Sequence, residues 1–283
     1  MIFRKKVKNL KKKILLLDGY NLIYRARHSR MNKGEYSTIF NFFRSLRPLV
    51  EKFAPDDVYF VLEGRPKKRL EMSPDYKGQR TYHNKDNFRM QRKEIISLLS
   101  RYFPFNVVRH PDYECDDVIN YLATSKYDND EVIIVSSDTD FIQTISERVS
   151  LFNPVSKKFI EAVEYDYVSH KALTGDKSDN IEGFLGIGQK KAEKLLKEEN
   201  ALETFLQEES NKEKFDHNYE MIKFHDLTED TESFELSRVF SPDWEQLKIK
   251  FSEFEFNSII GKEKSWEKYT KTFENLERNT LND

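Results

Sequence analysis

Three short apolar runs in this 283-residue chain each end at, or just before, an acidic residue. The runs are Ile14–Leu17, Asp57–Glu63 and Glu131–Ser136, and the acids at or just after their ends are Asp18, Glu63 and Asp138. Runs of this length predict buried β-strands. Because sites in parallel sheets form at the carboxyl edge of the strands, these acids are expected to meet there.

Helical patterns alternate with these runs along the first half of the chain. The segments Tyr36–Phe53, Phe88–Tyr102 and Cys115–Ser125 are predicted helices, and Asn106–Val108 is a further short strand. This alternation predicts an α/β fold with a mostly parallel central sheet and helices on both faces. From about Tyr165 onward the chain lacks strong strand patterns and is expected to be helical.

Composition limits the class of partner and the compartment. Charged residues make up 34% of the chain, but the net charge is only −2, so a nucleic acid would have to bind local basic patches. The single cysteine, Cys115, excludes an intramolecular disulfide and a cysteine-based zinc site. No apolar run approaches a membrane span, and the run behind the basic tail 1–13 is too short for a signal peptide. We therefore expect a soluble, cytoplasmic protein without a membrane partner.

Nine acidic residues are candidate metal ligands, and most of them occur as close neighbours. They are Asp18, Glu63, Glu114, Asp116, Asp117, Asp138, Asp140, Asp176 and Asp179. Clustered carboxylates repel one another and need a compensating cation, and oxygen-only ligands suit Mg²⁺ or Mn²⁺. Two such ions could activate a water molecule and stabilise both oxygens of a phosphodiester displacement.

Each acidic group also has a simpler explanation. Glu114, Asp116 and Asp117 suit the first turn of a helix, and Asp138 suits an N-cap. Asp176 and Asp179 suit a polar loop before a turn. Taken one pair at a time, these structural roles are favoured, whereas the joint placement at strand ends favours a metal site.

Two basic segments suit a nucleic-acid partner. Gly186, Ile187 and Gly188 precede Gln189, Lys190 and Lys191, which predicts a glycine turn that opens a helix and lets a phosphate approach the backbone. Between Gly64 and Arg92, basic residues alternate with aromatic ones, including Tyr76 and Tyr82, as suits a single strand whose bases stack. A solvated basic loop is the alternative for this segment.

Five segments occur in the order and spacing of the flap-endonuclease and 5′-exonuclease family. They are LLLDGYNLIYR, SPDYKGQR, YECDD, SSDTDFIQ and TGDKSDNIEGFLGIGQKKA. The chain most resembles stand-alone bacteriophage 5′-nucleases and the 5′-nuclease domain of bacterial DNA polymerase I. The resemblance covers roughly residues 14–206 and implies metal-dependent hydrolysis of DNA near a free 5′ end or junction, in primer or flap removal or in repair.

The resemblance also assigns site residues. It implies a first metal site at Asp18, Glu63, Glu114, Asp116 and Asp138 or Asp140, and a second at Asp117, Asp140, Asp176 and Asp179. Lys77 and Arg80, at the base of an arch, would hold the scissile phosphate, and on a helix they would share one face. Tyr24 and Arg25 are expected to contact DNA near the cut, together with the residues of the two basic segments above.

The implied organisation has four parts. These are a basic tail (1–13), a nuclease core (14–165) with an arch at about 64–92, a helix–three-turn–helix module (166–225) and a C-terminal helical segment that packs on the core (226–283). The module is expected to hold a K⁺ ion on carbonyl oxygens near Ile187. We expect a monomer that binds branched or 5′-ended DNA, with RNA–DNA primers as compatible substrates.

The chain departs from the family pattern at Glu63, where Asp is usual, and at Cys115, where a small apolar residue such as Ala is usual. The Glu63 departure leaves open a DNA-binding protein whose nuclease site has decayed. A ribonuclease of the same superfamily is a second alternative, although the Gly-Ile-Gly module argues against it.

Overall fold

A seven-stranded sheet forms the centre of this computed structural model, which describes residues 11–29, 34–79 and 86–280. The strands are β1 (Lys13–Asp18), β2 (Asp57–Leu62), β3 (Asn106–Arg109), β4 (Glu131–Val135), β5 (Val149–Asn153), β6 (Lys158–Ile160), β7 (Gly175–Asp176), β8 (Ile181–Glu182) and β9 (Glu235–Ser237). The large sheet has the order β6-β5-β4-β1-β2-β3-β9, and β7 pairs separately with β8. All pairs from β5 to β3 are parallel, whereas β6 and β9 are antiparallel edge strands.

Helices cover both faces of the sheet, as predicted. They are α1 (Gly19–His28), α2 (Ser37–Phe53), α3 (Lys67–Met72), α4 (Asp86–Tyr102), α5 (Cys115–Tyr121), α6 (Tyr167–Thr174), α7 (Gln189–Lys197), α8 (Ala201–Phe205), α9 (Glu209–Ile222), α10 (Trp244–Glu253), α11 (Asn257–Ile260) and α12 (Glu263–Thr280). A turn of π-helix at Leu122–Lys126 extends α5. Among the described residues, no helix is both long and apolar enough to cross a membrane.

The alternation of side chains along β1 builds two cores at once. Leu15 and Leu17 face a cluster formed with α1, α2, α4 and the three C-terminal helices, and Ile14 and Leu16 face a cluster formed with α5. Both faces are fully buried, which explains why this strand is apolar without interruption. The first cluster is rich in aromatic rings, with Phe103 in edge-to-face contact with Phe273 at 5.1 Å.

A third, smaller cluster holds the helices that follow the sheet. Leu173, Ile187 and Phe215 belong to it, and so does Tyr76 from the segment after α3. Tyr76 thereby connects the polar segment that follows β2 to the helical module.

The structure adds elements that the sequence patterns did not predict. Strands β5 and β6 follow β4, and helix α3 interrupts the polar segment after β2. The segment 226–283, which was expected to be helical, also contributes the edge strand β9. All three residues of β9 are exposed, so the strand lacks the apolar alternation that would have revealed it.

Candidate active site

Asp18 is the last residue of β1 and also the N-cap of α1. Its Oδ1 accepts a hydrogen bond from the Asn21 backbone N–H at 3.1 Å, and its Oδ2 accepts one from the Ser136 hydroxyl at 2.7 Å. A side chain at Gly19 would place its Cβ 2.4 Å from the Val61 carbonyl oxygen. The Asp-Gly pair thus caps the helix and lets α1 begin tightly against β2.

Glu63 follows β2, at the strand end next to Asp18. Its Oε2 accepts a hydrogen bond from the Cys115 backbone N–H at 3.1 Å, at the first residue of α5. Gly64 permits this approach, because a Cβ there would lie 1.9 Å from the His110 carbonyl oxygen and 2.2 Å from that of Tyr113. Cys115 itself is buried, as expected for a small core residue.

Asp116 and Asp138 complete one group of acids. Asp116 lies in the first turn of α5, and Asp138 follows β4, where its backbone N–H donates to the Ser136 hydroxyl at 3.0 Å. Ser136 therefore binds the Asp18 carboxylate through its hydroxyl hydrogen and the Asp138 backbone through its oxygen, which holds the Asp138 backbone near Asp18.

These four acids line one cavity of about 490 Å³. Burial, with a smaller contribution from Asp138, raises the pKa of Asp18 to about 6, and burial together with Glu114 raises the pKa of Glu63 to about 7. Burial, Asp18, Asp138 and Glu63 together raise the pKa of Asp116 well above its usual value. Asp18, Glu63 and Asp116 are buried or half-buried and disfavour their own charged forms, and Asp138 is exposed beside them. Such a set of oxygen ligands fits a hard divalent cation, which would favour the charged forms.

Glu114 lies behind this cavity in a network of its own. It is 2% exposed, and its Oε1 pairs with the Lys77 Nζ at 2.5 Å. Its Oε2 accepts from Arg69 and from the Tyr76 hydroxyl, both at 2.9 Å. Although burial alone would lower it, Glu114 and Asp179 raise the pKa of Lys77 above its usual value, so that lysine stays charged at the edge of the cavity.

Asp117 was predicted as a metal ligand, but it does not line this cavity. It is fully buried, and Arg69 binds both of its carboxylate oxygens, at 2.7 and 2.9 Å. The backbone N–H groups of Glu114 and His225 also donate to it, at 3.2 and 2.9 Å. Its oxygens thus have protein donors, and it serves as the anchor of a buried ion pair.

A second group of acids lies where the core meets the helical module. Asp140, Asp176 and Asp179 each place one carboxylate oxygen within 4.8 Å of the others. Lys171 of α6 pairs with Asp140 at 2.7 Å and also with Asp176. Lys77 reaches this group too, with its Nζ 3.6 Å from Asp179, so one lysine touches both groups of acids.

The predicted phosphate-holding pair is only partly described. Lys77 lies in a turn with φ of 55°, so the expected helix that would align it with Arg80 is absent at that residue. Arg80 and Tyr82 lie outside the described residues. Tyr76 was expected to contact DNA, but it is 6% exposed, and its hydroxyl oxygen lies 2.9 Å from carboxylate oxygens of both Glu114 and Asp179. Its ring is therefore buried in this structure rather than presented for stacking.

The other predicted DNA contacts lie at surfaces. Tyr24 lines the acidic cavity and also a neighbouring cavity that contains Arg25, where burial lowers the pKa of that arginine. In the helical module, Gly186 adopts a φ of 75°, whereas Gly188 has ordinary extended backbone and caps α7. The first residues of α7, Gln189, Lys190 and Lys191, are exposed, and Ile187 is buried between the glycines.

Two family models match the chain. Residues 13–173 match the model of the 5′-3′ exonuclease N-terminal resolvase-like domain, and residues 164–249 match that of the 5′-3′ exonuclease C-terminal SAM fold. The chain belongs to the 5′-3′ exonuclease family. This confirms the family resemblance and the α/β core with a helical second part.

Individual relatives agree with the family models. The protein is 31% identical to a 5′-3′ exonuclease of Aquifex aeolicus, over 88% of this chain and 94% of that protein. It is also 31% identical to the thermostable DNA polymerase I of Thermus thermophilus, over 88% of this chain but only 33% of the polymerase. Among solved structures, a bacteriophage T5 flap endonuclease in complex with DNA and metal ions aligns with a TM-score of 0.61 at 21% identity. That alignment covers 75% of this chain and 89% of the T5 protein, and it shows a shared fold.

Several residues that organise the site were not predicted from the sequence. Arg69 lies within the range of the predicted basic arch, but it is 3% exposed and binds Asp117 and Glu114. No sequence pattern marked Lys171 as a site residue. It is five positions before Asp176, and its other partner, Asp140, is far away in sequence. Ser136 was assigned only as the end of a strand.

Proposed function

We propose that this chain is a metal-dependent, structure-specific 5′ nuclease, which acts as a flap endonuclease and 5′-3′ exonuclease on DNA. The observation that carries the proposal is the single cavity lined by Asp18, Glu63, Asp116 and Asp138, with Lys77 at its edge. Membership of the 5′-3′ exonuclease family supports the polarity of the cut. Removal of primers or flaps in DNA replication or repair is the process that this activity would serve.

The four cavity acids would hold one Mg²⁺ ion, and Asp140, Asp176 and Asp179 would hold a second after Lys171 moves away. Mn²⁺ has the same preference for oxygen ligands and would substitute. When bound, the ions would supply the activated water and stabilise charge on the phosphate. Glu114 would act indirectly, because its carboxylate holds Lys77 in place.

Within this arrangement Lys77 brings a fixed positive charge to the cavity. Its ammonium is bound by Glu114 and Asp179, and the same group would bind the scissile phosphate as negative charge develops there. The pairing with Arg80 stays a prediction. Hydrolysis would leave a 5′-phosphate on the shortened strand and a 3′-hydroxyl on the fragment released.

The helical module would hold the duplex by its backbone. The exposed residues Gln189, Lys190 and Lys191 follow the two glycines at the start of α7, where backbone and helix dipole favour an anion. A K⁺ ion on carbonyl oxygens near Ile187, a monomeric state and contacts of Tyr24 and Arg25 with DNA remain parts of this proposal.

Replacing Asp138 by Asn tests the proposed role of the cavity. The substitution keeps the size of the side chain but removes a charge from the group of four acids, so cleavage should fall at least a hundredfold, which corresponds to about 3 kcal/mol of barrier. DNA binding should remain within a few fold, because the basic contacts are untouched. Asp128→Asn, an exposed site before β4, is the matched control.

Full Mg²⁺-dependent cleavage by Asp138→Asn would contradict the proposal. A wild-type protein that binds flap DNA tightly but cleaves it in neither metal would favour the decayed site. In that case Glu63→Asp is the first reversion to examine. Competition by RNA hairpins that exceeds competition by branched DNA would favour the ribonuclease.

A further inference from the structure

The acidic cavity has a second side that is basic. Its lining includes Tyr20, Arg65, Arg92 and Arg109 in addition to the acids and Lys77. The strands β4, β1, β2 and β3 lie side by side in this order. Asp138, Asp18 and Glu63 lie at the ends of the first three, and Arg109 ends β3, so the arginine is next to the acids along one edge of the sheet. A phosphate held at the acids therefore has arginines beside it along the sheet edge.

Arg92 projects from α4 and lies over an aromatic ring. Its guanidinium carbon lies 5.1 Å from the centre of the Tyr20 ring, and among the described residues no acid pairs with it. A cation–π contact with a ring uses none of the N–H donors of an arginine in hydrogen bonds, which leaves them available to bind a phosphate.

Arg109 makes two contacts that leave part of its guanidinium group available. Its Nε donates to the Glu63 carbonyl at 3.1 Å, and its Nη1 pairs with Glu235 at 3.2 Å. No contact within the described part of the chain uses its Nη2. Since Glu63 lines the acidic cavity itself, this bond ties the position of the arginine to the site of cleavage. Arg65, the third arginine, is exposed at the mouth.

We propose that Arg92 and Arg109, with Arg65, form a second phosphate subsite that binds the phosphate one nucleotide to the 5′ side of the scissile bond. The inference rests on the proposed nuclease function and extends it to a preference among substrates. When a single nucleotide is removed, that phosphate is the terminal 5′-phosphate. A terminal phosphate carries close to two charges at neutral pH, since its second pKa is about 6, so the arginines favour it over a terminal hydroxyl.

The test compares two duplexes, each with a single unpaired nucleotide at one 5′ end. The duplexes differ only in the group on that nucleotide, which is a 5′-phosphate in one and a 5′-hydroxyl in the other. The wild-type protein should remove the phosphorylated nucleotide about tenfold faster in single turnover with Mg²⁺, the value of one charge-assisted contact. Arg92→Gln and Arg109→Gln should each reduce this ratio towards one. Arg101→Gln, an exposed site on the same helix α4, should keep it. A flap of three nucleotides should show no dependence on its end group, since an internal phosphate then fills the subsite.

Equal rates for the two ends in the wild-type protein would overturn the subsite, and so would a preference that survives in both arginine variants. The same two duplexes are also bound to Asp138→Asn, where the phosphorylated one should bind more tightly. If neither duplex is cleaved by the wild-type protein or its variants, the nuclease proposal fails. The ratio of the binding affinities for the two duplexes then decides whether the phosphate subsite exists.

Discussion

Arg69 shows at the scale of one residue how the site is supported from behind. Its side chain is 4% exposed, and it binds both Asp117 and Glu114. It also donates to the carbonyl oxygens of Met221 and Lys223, at the end of α9. One buried guanidinium thus connects α3, the start of α5 and the helical module.

Arg69→Met should therefore destabilise the protein by about 3–5 kcal/mol, because it leaves a buried carboxylate without its partner. Urea unfolding followed by circular dichroism measures this change. Lys67→Met is the control, since Lys67 is exposed and pairs with Asp112 only at 3.7 Å, a contact worth at most about 1 kcal/mol. A loss below 1 kcal/mol for Arg69→Met would show that the network contributes little.

His225 gives the protein a dependence of stability on pH. Burial lowers the pKa of His225 to about 4, with a smaller contribution from Arg69 and nearby lysines and against the opposing charge of Asp117. Its buried Nε2 has no hydrogen-bond partner among the described residues. The unfolded chain therefore takes up this proton first, at its usual pKa near 6.5. Stability contributed by the neutral ring is present above that pKa and is lost as the pH falls from about 6.5 to 4.

Between pH 7 and pH 4, the unfolding free energy of His225→Gln should fall by about 2 kcal/mol less than that of the wild-type protein. This value is smaller than the full pKa difference implies, because solvent partly screens the ring. The measurement is the difference in unfolding free energy between variant and wild type at pH 7 and at pH 4. His217→Gln, an exposed site on α9, should leave the difference unchanged. A wild-type curve that runs parallel to that of His225→Gln would contradict the assignment.

At the scale of elements, strand ends were the reliable predictors. Asp18, Glu63 and Asp138 meet because parallel strands deliver their ends to one edge, a rule that needs no distant contact. The first turn of α5 was not predictable in this way. Asp116 faces the cavity and Asp117, its neighbour, faces Arg69, and only the position of α3 decides between them.

The C-terminal helices pack against the sheet through buried aromatic side chains. Phe273 of α12 is fully buried against Phe103 and Phe105, so Phe273→Ala should cost about 3–5 kcal/mol of unfolding free energy. Both tryptophans, Trp244 and Trp266, belong to these helices, so their fluorescence reports this segment while circular dichroism reports the whole chain.

The two signals should unfold together in the wild-type protein and in Phe273→Ala, because the helices share one core with the sheet. Phe240→Ala, an exposed aromatic site, should change stability by less than about 0.5 kcal/mol. Fluorescence that changes well before circular dichroism would show that the C-terminal helices are a separate unit.

For the whole molecule, the α/β class and the helical second part followed from periodicity and from the five family segments. Elements without an apolar pattern could not be predicted in this way. The exposed strand β9 exists because β3 offers it an edge, and the turn at Lys77 depends on the loop of Asp179, whose carbonyl accepts the Lys77 N–H at 3.2 Å. Both features are set by partners far away in sequence, and local propensity contains no information about them.

The charge distribution of the whole molecule links fold to function. A net charge of −2 conceals one sheet edge at which four acids stand beside Lys77 and three arginines. Such an edge is suited to bind cations and phosphates together, which the proposed hydrolysis of a phosphodiester would require.

The most direct test uses a flap oligonucleotide labelled at its 5′ end and incubated with the protein in Mg²⁺, Mn²⁺ or EDTA. We expect release of short labelled fragments, cut at the junction, with either metal and none in EDTA. Cleavage that persists in EDTA, or an intact flap in both metals under conditions where the protein binds it, would contradict the assignment of the acidic cavity as the catalytic centre.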